Sequence, residues 1–73
     1  MDIAHRFGSK VRYEREAKGL SQESLAERAK LHRTYIGAVE RGQRNITLRS
    51  ADKIAVALKI PLSSLVSDFK NDH

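Results

Sequence analysis

Only three residues, Lys30, Leu31 and His32, separate two stretches that each read as a short helix, residues 22–29 and 33–41. Two short helices joined that tightly form a corner, and the helix-turn-helix is its best-known use. The rest of the chain must supply the core that holds this corner in place. With 73 residues and no cysteine, it has no disulfide or thiolate metal site to help. A chain of this length buries a small share of its surface. Efficient helix packing and self-association are the sources of stability that remain.

Apolar spacing predicts an all-α fold of five helices in one domain, residues 1–73. The first helix covers about 2–18 and stops at Gly19, a residue suited to the left-handed turn that ends helices. Ile3, Phe7 and Val11 recur at every fourth position and form its inner stripe. The second covers about 22–29. Ser21 can cap it, Glu23 in the first turn suits the helix dipole, and Leu25, Ala26 and Ala29 face inward. The third covers about 33–41 and ends at Gly42, so the helix-turn-helix spans about 21–41. The fourth covers about 48–58, with Thr47 as its cap and Ala51, Ile54, Ala55 and Leu58 on one face. The fifth begins after Pro61 and carries Leu62, Leu65, Val66 and Phe69 on the same template, so helices four and five span about 48–69. The final residues, KNDH, are expected to fray.

Charge is unevenly distributed. Residues 1–27 and 50–73 each balance to zero, so the whole net charge of +5 lies in residues 28–49, where Arg28, Lys30, Arg33, Arg41, Arg44 and Arg49 face Glu40 alone. A local basic block is the footprint of a polyanionic partner, although a solvated basic surface has the same composition. On a helical wheel, Tyr35, Ile36, Val39 and Glu40 cover one side of helix three, while Arg33, Thr34, Gly37, Ala38 and Arg41 gather on the other. Gly37 costs on the order of 1 kcal/mol of helix stability, and basic residues at the leading end oppose the dipole. A helix entering a DNA major groove accounts for both, since it needs low relief in its middle and hydrogen-bonding tips at its start. Close helix packing at Gly37 is the plainer alternative.

Two further expectations come from periodicity. Arg15 extends the stripe of Ile3, Phe7 and Val11, and Glu40 shares the apolar side of helix three. Unpaired burial of either charge costs several kcal/mol, so the two are expected to pair between helices one and three, unless each reaches water along its own stem. Val56 falls off the inner face of helix four and Ile60 lies just beyond it. Both are candidates for a dimer interface, against the alternative of scattered surface residues.

The stretch LSQESLAERAKLHRTYIGAVERGQRNITL resembles the helix-turn-helix of the lambda repressor/Cro family, also called XRE regulators, and the likeness extends from FGSKVRYEREAKGLSQ to ADKIAVALKIPLSSL. The HRTYI and ERGQRN wording is most similar to controller proteins of restriction-modification systems. The resemblance implies a compact lambda repressor-like fold and a homodimer that binds a palindromic double-stranded operator. It also implies roles by position: Ser21 and Gln22 clamp a phosphate, and His32, Arg33, Thr34 and, one turn on, Ala38 read base edges. Tyr35, Arg44 and Asn45 would contact the backbone, and an Arg–Glu pair between helices one and three is a family feature too. One departure matters. The turn between the two helices usually holds Gly, and here it holds Lys30. A left-handed Lys costs about 1 kcal/mol, so either the turn is adjusted or Lys30 contributes a phosphate contact.

Other classes are disfavoured. His5, His32 and His73 lack metal-ligand spacing, no Gly-rich phosphate loop or nucleophile elbow is present, and no paired carboxylates stand out, so no catalytic, metal or cofactor site is expected. No small-molecule ligand is evident. No apolar run approaches the ~20 residues that span a bilayer, and the start MDIAHRFGSK lacks a signal-peptide core, so a cytoplasmic protein, on the nucleoid when bound to DNA, is expected. Recognition of RNA usually relies on aromatic stacking platforms, whereas Tyr13, Tyr35, Phe7 and Phe69 mostly take core-like positions. The alternative is an antitoxin-type interaction module that also binds DNA, but almost nothing lies outside the five helices to hold a toxin.

Overall fold

The computed structural model describes residues 2–67, and the expectations for Phe69, for His73 and for the fraying end fall outside them. Five helices follow one another: α1 Ile3–Ala17, α2 Gln22–Ala29, α3 Arg33–Glu40, α4 Leu48–Leu58 and α5 Leu62–Val66. No strand occurs among the described residues. Three of the starts are capped by a side-chain oxygen. Asp2 accepts from the His5 N–H, Ser21 from that of Ser24 and Thr47 from that of Ser50, at 2.9–3.0 Å. Each interaction satisfies one of the backbone donors that a helix start leaves unpaired. His32 opens α3 without such a bond.

Two helix ends are unusual. Lys30 after α2 and Lys59 after α4 both take the left-handed conformation, with φ of 59° and 60°. The helix-turn-helix corner therefore keeps the geometry that Gly would adopt freely and places a Lys in it, rather than adjusting the turn.

The core is Phe7 and Val11 of α1, Leu25 of α2, Ile36 and Val39 of α3, Ile54 and Leu58 of α4 and Leu65 of α5, with alanines filling between them. Helix α1 packs on α3 and α5, α2 packs on α3 and α4, and α4 packs on α5. The recognition corner is thus held from behind by the other helices. Ile3 departs from the expected inner stripe. It sits in the first turn of α1, is 59% exposed, and rims an apolar groove of about 310 Å³ together with Leu48, Leu62 and Val66. Tyr13 is not core-like either. It stands two positions from both Val11 and Arg15, on the opposite face of α1, and is exposed.

Gly8 is a contact that the apolar pattern did not reveal. It is buried in α1, and a Cβ there would overlap the Val39 carbonyl oxygen and lie 2.9 Å from that of Glu40. Only a residue without a side chain lets α1 come this close to the last turn of α3.

Candidate nucleic-acid interface

Helix α3 presents its leading end to solvent. His32, Arg33 and Thr34 are exposed, and Tyr35 is half-buried against the core. Arg33 Nη1 comes within 3.9 Å of Glu23 Oε2 in the first turn of α2, with both side chains mostly in water. Such a surface pair contributes little, so Arg33 remains available to another partner. The middle of α3 differs from the expected bare face. Gly37 is buried, because the side chains of Arg41 and Gln22 fold toward it. Ala38 is also buried, at 9% exposure, and so is not an open position of the free protein.

The loop beyond Gly42 returns to the same side. Arg44 lies over the Tyr35 ring, 5.0 Å from its centroid, a cation–π contact that orders a side chain otherwise free in solvent. Asn45 is exposed and borders the apolar groove near the start of α4. Gly42 itself has φ +73°, and a Cβ there would meet the His5 ring at 2.6 Å. The turn that launches this loop is thereby pressed against α1.

Behind α3 lies a polar network. Arg15 Nε donates to Glu40 Oε2 at 2.7 Å and Nη2 to Glu40 Oε1 at 3.1 Å, while Nη1 donates to the Leu20 carbonyl at 2.8 Å. Gln22 Nε2 donates to the same Glu40 Oε1 at 3.0 Å. The Glu40 side chain is 3% exposed and that of Arg15 11%. The hydrogen bonds to Glu40 hold the Arg15 guanidinium above its ordinary, already high, value, against the effect of burial. Ties from one carboxylate to α1 and α2 fix the end of α3 relative to the start of α2. Gln22, assigned by resemblance to a phosphate, thus has one N–H committed inside the protein. The Ser21 hydroxyl is committed to Ser24, accepting from its N–H and donating to its Oγ at 3.1 Å.

The remaining expected residues lie elsewhere. Val56 is 67% exposed, in surroundings of Arg28, Lys30, Asp52 and Lys53. Ile60 is half-buried and packs on the core, so it offers only part of its side chain. Leu48 is exposed, and so is Val66, which the spacing of helix five places with the inward residues Leu62 and Leu65 but which lies in the last turn of the short α5, at the rim of the apolar groove. Among the described residues, no three His, Asp or Glu side chains gather as metal ligands would, and no helix is long and apolar enough to cross a membrane.

Comparison with known proteins agrees with this geometry. The sequence profile of the helix-turn-helix family matches residues 11–65. Control protein C.MunI from Mycoplasma sp is 44% identical over 72 residues, 97% of each chain. The crystal structure of the restriction-modification controller protein C.AhdI from Aeromonas hydrophila superposes with a TM-score of 0.84 at 50% identity, over 85% of this chain and 94% of that one. The controller protein C.Esp1396I, solved as a tetramer in complex with its natural 35 base-pair operator, gives a TM-score of 0.85 at 28% identity over 96% of this chain and 92% of that one. The chain belongs to the helix-turn-helix family, in its XRE or lambda repressor-like branch, and its relatives include the controller proteins of restriction-modification systems.

Proposed function

We propose that this protein is a sequence-specific double-stranded DNA-binding transcriptional regulator of the controller-protein kind. It acts as a homodimer on a palindromic operator, in the cytoplasm, and catalyses nothing. The observation that carries the reading is the exposed leading end of α3, where Arg33 and Thr34 face solvent beside the Arg44 loop, in the segment that holds the whole net charge. Arg33, Thr34 and His32 read base edges, and Ala38 adds an apolar contact if the side chains around it part on binding. Gln22, Tyr35, Arg44 and Asn45 hold the backbone, with Ser21 setting the start of α2. The two copies meet through α4 and α5. Val56 and Ile60 are the candidates from sequence, and Leu48 and Val66 extend the exposed apolar surface of the same two helices. Resemblance to C.Esp1396I, an operator-bound tetramer, supports the assignment of both partners, DNA and a second copy. Selection of bound duplexes from a random pool tests it: an inverted repeat is expected, and a pool without enrichment contradicts the reading.

A further inference from the structure

Val56 stands 67% exposed on α4, in a hollow of about 200 Å³ between that helix and the end of α2. Arg28, Lys30 and Lys53 line the same hollow against one carboxylate, Asp52, and all four residues are exposed. Three positive charges against one negative leave the patch at +2. No ion pair joins these cations to a carboxylate among the described residues. Lys30 holds its charge there in a left-handed conformation that Gly would adopt without strain.

A second copy does not suit this patch. A two-fold contact places a surface on its own copy, so pairing through Val56 would bring these cations against like charges. The groove rimmed by Ile3, Leu48, Leu62 and Val66 has no charged residue in its lining and carries no such penalty. DNA suits the patch no better. Phosphates would engage the cations and leave Val56 without an apolar partner. Neither Arg33 nor Arg44 lines the hollow, and Lys53 and Val56 lie about 9 and 13 Å along α4 from its Thr47 cap, beyond the Arg44 loop.

We propose that the hollow between α2 and α4 docks an acidic segment of a partner protein, which sets an apolar side chain on Val56 and carboxylates on Arg28, Lys30 and Lys53. The combination of an exposed apolar residue with a cationic rim is complementary to such a segment and to neither of the other two occupants. Val56 then leaves the pairing of copies to Ile60, Leu48 and Val66. The site goes beyond DNA binding and stays accessible while the leading end of α3 is engaged. Its attraction is electrostatic at the rim and weakens with salt.

The test follows backbone amide signals of the nitrogen-15-labelled full chain by NMR, free and saturated with a duplex recovered from a random pool. The probe is a synthetic helical peptide of alternating Glu and Leu pairs, and the controls are the same peptide with Ser for Leu and with Lys for Glu. The Glu–Leu peptide is expected to shift Ala29, Lys53 and Val56 with and without duplex, and both controls to bind far more weakly. Lys53→Glu, an exposed change, should weaken the peptide by about tenfold or more while keeping duplex affinity and salt slope. Four results overturn the docking site. The peptide could shift Arg33, Thr34 and Arg44 instead and be displaced by duplex. The Ser peptide could bind as well as the Leu peptide. The duplex itself could shift Lys53 and Val56, with Lys53→Glu lowering the salt slope. Val56→Asp could turn a sedimenting dimer into monomer, which would give the patch to a second copy. A wild type for which no duplex is enriched contradicts the DNA-binding reading alone, and the titration of the free protein still decides the docking site.

Discussion

The Glu40 carboxylate receives Arg15 through two hydrogen bonds, of 2.7 and 3.1 Å, and Gln22 through a third of 3.0 Å, while remaining almost fully buried. Helices α1, α2 and α3 therefore meet at one ion. Removing either charge leaves the other buried and unpaired, so Arg15→Met or Glu40→Leu should each destabilise by about 3 kcal/mol or more. The double variant should recover much of that loss, and thermal unfolding of all four proteins measures the coupling. Additive losses would contradict a pair. On the alkaline side the contribution is full below the ordinary arginine value and is lost only as pH rises through the raised one, so mildly alkaline buffer should leave it intact.

Lys30 occupies a left-handed position that Gly adopts without strain. Lys30→Gly should stabilise the fold by about 1 kcal/mol, seen as a rise of roughly 4–8 °C in Tm for a domain of this size. An unchanged or lower Tm would mean that the Lys30 side chain contributes more to stability than its backbone costs.

The two mid-helix glycines should respond in opposite ways. Gly8→Ala drives a methyl group into two backbone carbonyls of α3 and should cost about 1–3 kcal/mol, as overpacking does, despite the gain in helix propensity. At Gly37 the nearest atoms are the tips of flexible side chains, so Gly37→Ala should be neutral or stabilising by up to about 1 kcal/mol. Denaturant melts of both variants check the contrast, and equal effects would rule out this account of Gly8.

The proposed pairing through α4 and α5 would set two recognition helices about 34 Å apart, one turn of DNA. Sedimentation should show a dimer at micromolar concentration. Leu48→Asp and Val56→Asp change exposed positions and should leave the fold intact, and a variant within the interface should shift the equilibrium to monomer. If neither moves it, the contact does not use the outer surface of α4.

Most of the fold was legible because its determinants are local. Ser21, Thr47, Gly19 and Gly42 mark boundaries by their own chemistry, and the stripes of α2 and α4 follow simple periodicity. The Arg15–Glu40 contact also came from periodicity, since two charges on apolar faces need partners. What was missed depends on how helices are placed relative to one another. The value of Gly8 lies in the carbonyls of α3, and the sequence around it reads as ordinary helix. Ile3 follows the stripe of α1 but lies at the end of the helix, where it rims a groove instead of entering the core. Gly37 and Ala38 looked open on a wheel drawn for α3 alone. Only the arrival of Gln22 from α2, and the folding back of Arg41, show that Gly37 is covered. Tyr13 was grouped with core aromatics by residue type, although its spacing from Val11 and Arg15 places it outside.

The central claim is that the leading end of α3 reads bases while the loop beyond it holds the backbone. Arg33 can form a bidentate contact with guanine, worth roughly 1–3 kcal/mol of discrimination, whereas Arg44, stacked on Tyr35, is expected to meet only phosphate. The direct measurement is binding of Arg33→Ala and Arg44→Ala to selected and scrambled duplexes across a range of salt. Arg33→Ala should flatten the preference for the selected duplex. Arg44→Ala should weaken both alike and lower the salt slope by about one. If Arg44→Ala instead lost only the selected duplex while Arg33→Ala weakened both equally, the roles would be reversed and α3 would not be the reading helix.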